Sequence, residues 1–248
     1  MAGFQQRFAS KLSGGGVGPG NEPWPVFFAR MAEQAQHPLL KRFYAAGTPT
    51  GDTPLAEVPL VAIDFETTGL DASKCDIVSV GIVPMTLNRI YNRQGRHWLV
   101  RPRTALSADS VVFHGITHSD IDNAPDLSEQ LDDILEHLQG KVVIAHCCSI
   151  ERNFLDMAVK ARLGEGVVFP MLDTMALEAG IQRQPTLIER MFGARRKSIR
   201  LADSRERYGL PFYHPHHALS DALACGELFQ AQIAHHYSGA TAIGNLWQ

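Results

Sequence analysis

The stretch Val61–Leu70, VAIDFETTGL, decides how the rest of the chain is read. Pro59, Leu60, Val61, Ala62 and Ile63 make an apolar, partly β-branched run of the kind that forms a buried strand. Asp64 and Glu66 follow, with Phe65 between them. Side chains alternate faces along a strand, so the two carboxylates project to the same side. Adjacent carboxylates repel unless a positive charge sits between them, and an oxygen-seeking divalent cation meets that need. Thr67, Thr68 and Gly69 then turn the chain, offering hydroxyls and N–H groups beside the acids. A lone pair of this kind also suits a solvated strand end, so the later segments carry the decision.

The 248 residues suffice for one large domain, or one domain with a small appendage. An apolar content of 45% with 20% charged residues is that of a globular protein. The formal net charge of −3 excludes a general polycation, so any contact with nucleic acid would rest on a local basic patch or on bound metal. Cys75, Cys147, Cys148 and Cys225 form no CxxC pair and no disulfide framework, which suits a reducing cytoplasm. No apolar run approaches the roughly 18 residues of a membrane span, and no secretory signal is recognisable. A cytoplasmic protein without membrane contact is expected.

Residues 1–54 read as a flexible tail and helical extension. Phe4, Phe8 and Leu12 have helical spacing beside Arg7 and Lys11, in a frayed tail or short docking helix; a transit peptide is the alternative. The flexible linker Ser13–Gly20 follows. Trp24–Ala46 carries a helical apolar pattern broken at Pro38, which predicts two short helices packed on the main domain or on a partner, or mediating self-association. The main domain is expected over 55–240 and a C-terminal tail over 241–248.

Beyond the first motif, Ile77–Met85 (IVSVGIVPM) and Arg96–Val100 (RHWLV) read as strands of a meander. FHGIT, Phe113–Thr117, reads as a loop, and His114 on its residues alone is a loop histidine. Asp126 and Glu129 form a capping box ahead of the stripe Leu127, Leu131, Ile134, Leu135 and Leu138, and Gly140 ends that helix. Lys141–Ala145 is a short buried strand that delivers His146. Ser149 is expected to cap a helix to Arg162, with Ile150, Phe154, Met157, Ala158 and Ala161 inward. Val167–Leu172 reads as a strand, Asp173 as a helix cap, and Pro185–Phe192 as a short helix. Arg195, Arg196, Lys197, Arg200, Arg205 and Arg207 form either a solvated helix face or a phosphate-contacting rim. The last helix buries Ala218, Leu219, Ala222, Leu223, Leu228, Phe229 and Ile233, with Asp221 near its start. On helical spacing His217 pairs with Asp221. A zinc site from His214, His216, His217 and Cys147 has no spacing typical of closed sites.

DFETTGL, AHCCSIERNFLD and HPHHALSD, in this order, resemble the three motifs of the DEDD superfamily of 3′–5′ exonucleases, in its histidine-bearing (DEDDh) branch. The proofreading epsilon subunit of bacterial DNA polymerase III is a member. The resemblance covers about Val58–Tyr237. It implies a ribonuclease H-like α/β fold, a mixed sheet flanked by helices. It implies two divalent ions, Mg²⁺ or Mn²⁺, and release of nucleoside monophosphates from 3′ ends of DNA or RNA, single-stranded DNA being favoured. Four residues are implied as metal ligands: Asp64, bridging both ions, Glu66, Glu151 and Asp221. The family pattern HxALxD selects His216 as general base over His217. Phe65, Thr67, Thr68, Gly69, Leu70, His114, His146 and Phe154 are implied to line the substrate cleft. Two positions depart from the pattern: Glu151 stands where relatives have aspartate, and Cys147 where many have asparagine. These departures leave a non-catalytic nucleic-acid-binding or docking module with a blunted site as the alternative function.

Overall fold

The computed structural model describes residue 20, residues 22–182 and residues 197–247. The expected helices at Phe4–Leu12 and Pro185–Phe192, most of the Ser13–Gly20 linker, Arg195 and Arg196 lie outside the described residues. Helix α1 (Trp24–Gln34) stops ahead of Pro38, which opens α2 (Pro38–Ala45) from its first turn, where a missing N–H costs nothing. Trp24, Phe27, Phe28, Phe43 and Tyr44 meet largely edge to face and enter the same apolar core as Leu127, Leu131 and Phe169. Tyr44 also accepts the Val168 N–H at 3.0 Å. The extension thus shares the core of the main domain.

The sheet is built from β1 (Leu60–Thr67), β2 (Ile77–Thr86), β3 (Arg89–Ile90), β4 (Arg96–Leu99), β5 (Val142–Ala145) and β6 (Met171–Asp173). Among the described residues it has six strands in the order β3-β2-β1-β5-β6, with β4 also paired to β2. β1 lies at its centre, antiparallel to β2 and parallel to β5. β6 is shorter than the expected Val167–Leu172 because Pro170 has no N–H to enter a ladder. Helices α3 (Ala108–His114), α4 (His118–Ile121), α5 (Leu127–Leu138), α6 (Cys148–Leu163), α7 (Thr174–Ile181), α8 (Leu201–Arg207) and α9 (Ala218–His236) flank the sheet. This is the mixed α/β architecture of the ribonuclease H-like exonucleases.

Alternation along β1 sorts its side chains. Val61, Ile63 and Phe65 join the core beneath α5 and α6, while Leu60 and Ala62 join Cys225 and Phe229 of α9. Asp64 and Glu66 continue the second row, so they face α9. Gly81 of β2 is the register partner of Asp64. A Cβ there would overlap the Ala218 carbonyl and the Leu219 nitrogen, so the first turn of α9 sits directly on the β2 backbone. Gly81→Ala is expected to push that turn outward. Overpacking of this kind costs about 1–3 kcal/mol, and the displaced turn carries Asp221. A thermal melt and a rate assay check this; unchanged activity would show that the approach does not set the site.

Several local expectations change in three dimensions. Phe113 and His114 belong to the last turn of α3, not to a loop; Ser107 caps this helix and Gly115 ends it at φ 70°. Ser149 does not cap α6. The cap is Asp173, whose carboxylate accepts from Cys147 and Cys148 at 3.1 and 3.0 Å and also from Met175 and Ala176 at the start of α7. Met157 is exposed, and the inward face of α6 is completed instead by Leu155 and Val159. Arg205 belongs to neither a solvated face nor a phosphate rim, whereas Arg207 is exposed. Arg205 is buried against Glu227 and the Ala224 carbonyl, and Arg207 binds Glu178 and the Ser198 carbonyl. The segment after Thr241 is held rather than loose, with Ile243 fully buried and Trp247 bridged to Leu172.

Candidate active site

Three elements deliver the four carboxylates singled out in the sequence. Asp64 and Glu66 stand on β1, Glu151 in the first turn of α6, and Asp221 in the first turn of α9. Glu66, Glu151 and Asp221 are only 9%, 4% and 9% exposed. Burial, and then the charges of Glu151, Glu66 and Asp221, hold Asp64 well above the ordinary carboxylate range. Burial and Asp221 push Glu66 up to about 8. Glu151 is raised mainly by burial, and Asp221 by burial against the opposing hydrogen bond from the His216 N–H. None of the four makes an ion pair with Lys or Arg among the described residues. Glu151 Oε2 is buried without a hydrogen-bond partner. An orphaned buried oxygen among mutually repelling carboxylates requires a compensating charge, and an all-oxygen set fits a hard divalent cation.

This electrostatic burden has a measurable consequence. The folded chain keeps protons on these acids that the unfolded chain has released, since their folded values are raised. That stabilisation is complete below the unfolded value, 4.5 for a glutamate, and is lost as pH climbs through the folded one, about 8 for Glu66. Metal-free protein is therefore expected to melt at progressively lower temperature from about pH 5 to pH 8. Mg²⁺ or Mn²⁺ should raise Tm most at the alkaline end, because ligation needs the ionised carboxylates. Melts with EDTA and with metal across this range check both signs.

His216 completes the cluster. One potential ligand atom each from Glu66, His216 and Asp221 lie within 4.8 Å of one another. The backbone at His216 is left-handed, φ 72°, and its N–H donates to Asp221 Oδ2 at 2.7 Å. That twist separates neighbouring histidines. His217 faces away, caps α9 through Ser220, and stacks on His97 with ring centroids 4.7 Å apart. The i, i+4 pairing of His217 with Asp221 is not formed, because His217 is the cap and has left the helical path. His214 lies against Phe212 instead of joining the carboxylates.

The other expected cleft residues divide. Leu70 presents an exposed side chain beside the turn. His114 is half-buried, with burial and then His216 lowering its pKa, and its Nδ1 accepts the Ile116 N–H. Thr67 donates its hydroxyl to the Gly69 carbonyl, while Cys75 packs against Gly69. Thr68 is buried, its hydroxyl shared between Thr104 and the Asp76 N–H. Phe65 and Phe154 do not line the cleft with their rings; both are core residues on the opposite face of β1. His146 has both ring nitrogens committed, one to the Thr174 hydroxyl and one to the Ile199 carbonyl. The sequence reading missed Gly81, although an isolated glycine inside a strand is a recognisable sign of close backbone approach. It also assigned nothing to Phe212.

Comparison with known proteins agrees with this architecture. The family model described as Exonuclease (RNase_T) matches residues 61–229. The PolC-type DNA polymerase III of Thermotoga maritima is 29% identical over 179 residues, which are 72% of this chain and 12% of that protein. The chain thus spans about an eighth of the polymerases of this type that it matches. The DNA polymerase III subunit epsilon of Treponema pallidum is 28% identical over 72% of this chain and 78% of its own length. Among solved structures, the nuclease domain of 3′hExo, a DEDDh family member bound to rAMP, overlays with TM-score 0.59 at 16% identity over 72% of this chain and 92% of that one. Exonuclease X in complex with 5′ overhanging duplex DNA gives 0.54 at 21% identity, over 75% and 98%. The matched segment starts in β1 and ends in α9, so it contains every carboxylate of the cluster, and the chain belongs to the exonuclease family.

Proposed function

We propose that this chain is a metal-dependent 3′–5′ exonuclease that releases nucleoside monophosphates from 3′ ends, favouring single-stranded DNA over RNA. The observation that carries this reading is the meeting of Asp64, Glu66, Glu151 and Asp221, largely buried and without a Lys or Arg ion pair among the described residues, beside His216. Asp64, Glu66, Glu151 and Asp221 would hold the divalent ions, Mg²⁺ or Mn²⁺. When bound, such ions lower the pKa of water and stabilise charge on the leaving 3′ oxygen. His216 takes the proton of the attacking water at a ring nitrogen, the usual task of a positioned imidazole. Its left-handed backbone, anchored on Asp221, aims the ring at the cluster. The terminal nucleotide lies between the Thr67–Leu70 turn and His114 at the end of α3.

The names of the relatives support DNA as substrate and a polymerase as partner, with α1 and α2 as a surface for that partner or for a second copy. No helix among the described residues is long and apolar enough to cross a membrane, and the four cysteines are unpaired, which supports a reducing compartment such as the cytoplasm. The test is cleavage of 5′-labelled single-stranded DNA and RNA with Mg²⁺ or Mn²⁺, with EDTA, and with Asp64→Ala. A metal-dependent ladder shortening from the 3′ end is expected, faster on DNA. Folded protein that binds single strands but cleaves neither with metal would replace this reading with a non-catalytic binding module.

A further inference from the structure

Among the described residues the most exposed large apolar side chains are Val112, Phe212 and Phe113, at 85%, 73% and 60%. They lie on two segments, the end of α3 and the loop before α9. The segments meet where the Phe113 ring stands edge to face with His216, 5.7 Å between centroids. Phe212 repeats the arrangement one step away, edge to face with His214 at 5.5 Å. Two exposed phenylalanines are thus each set against a histidine of the loop before α9, Phe113 against His216 itself.

The exposure of Phe212 is enforced by its neighbours. One buried guanidinium, Arg205, donates to the Pro211 carbonyl at 2.8 Å and covers the Tyr213 ring at 4.7 Å. The same group binds Glu227 and the Ala224 carbonyl, both on α9, and Tyr213 donates to Glu227 as well. Residues on both sides of Phe212 are therefore pinned to the helix that carries Asp221. An unanchored phenylalanine would fold onto the surface; this ring is held in solvent and is preorganised to receive a flat partner.

We propose that Phe212, backed by His214, is a stacking platform for an unpaired base upstream of the scissile linkage, and that it selects single-stranded over paired 3′ ends. The inference rests on the exonuclease reading above. Several features point to this occupant. Pro215 alone separates His214 from His216 in the chain, so the platform belongs to the same loop as the histidine beside the carboxylates. Phe212 is 73% exposed between pinned neighbours, and an exposed aromatic ring stacks a base whatever the sequence. A paired end keeps its bases stacked on one another and cannot offer one to the ring without first unpairing.

The test compares wild type, Phe212→Ala and Phe212→Trp on three substrates with Mn²⁺: a single-stranded oligonucleotide, the same strand in a blunt duplex, and the p-nitrophenyl ester of thymidine 5′-monophosphate, which has no upstream base. Titration of a 2-aminopurine-labelled single strand in EDTA reads binding without turnover. Phe212→Ala is expected to raise KM on the single strand by roughly 5- to 150-fold and to weaken the EDTA titration by a similar factor. It should leave the nitrophenyl ester unchanged and narrow the preference over the duplex; Phe212→Trp should restore all of these. Equal KM values and equal binding for wild type and Phe212→Ala would overturn the proposal. So would an equal loss on the nitrophenyl ester, which would mark Phe212 as a support of the loop. Wild type that hydrolyses none of the substrates would refute the exonuclease reading instead, and the EDTA titration would still judge the platform.

Discussion

Asp64→Ala is expected to reduce hydrolysis to the level of a protein-free blank while leaving the metal-free protein at least as stable as wild type. Both halves follow from one fact. Asp64 is half-buried, and desolvation and then the charges of Glu151, Glu66 and Asp221 all raise its pKa. Without metal it is an electrostatic liability whose removal relieves repulsion. With metal it would be one of the four carboxylates that hold the ions, so its loss would dismantle the site. A variant with undiminished EDTA melting, lost metal-induced stabilisation and no activity would separate this role from damage to the fold. Full activity in the purified variant would refute the assignment of the carboxylate cluster as the metal site.

His216→Ala is expected to lower kcat by roughly 10²- to 10⁴-fold, the usual contribution of a general base. His217→Ala, one residue on, should change kcat several-fold at most. Its own cost should fall on stability, because its ring caps α9 through Ser220 and rests on His97. A cap of this kind contributes about 0.5–2 kcal/mol. Rates for both variants, measured at saturating metal, decide between them. A damaged His217→Ala beside a healthy His216→Ala would mean that the loop before α9 turns the other way when substrate binds.

How legible this was in the sequence varied with the range of the interaction. β1, its alternating faces and the capping box of α5 depend on neighbours two to four residues apart, and the residues name them directly. The order and type of most elements follow from the same short-range physics. Phe65 and Phe154 show where that reasoning stops. Phe65 lies between Asp64 and Glu66, and Phe154 three residues after Glu151, yet alternation and helical rotation turn their rings into the core. His146 was correctly delivered by β5, but its ring is consumed by Thr174 and Ile199, partners 28 and 53 residues distant.

The sequence by itself determined that two acids share a face of a buried strand, that helices with acidic first turns follow later, and which family's motifs these resemble. The resemblance implied that Glu151 joins those acids and that His216 is chosen over His217; tertiary structure brings these groups together, and it alone decided that Arg205 holds a loop instead of meeting phosphate. The physical reason is that each of these depends on groups brought together across the sheet. The close approach of α9 at Gly81, at which a glycine inside a strand only hints, the left-handed backbone at His216 and the burial of Arg205 against α9 are properties of packing.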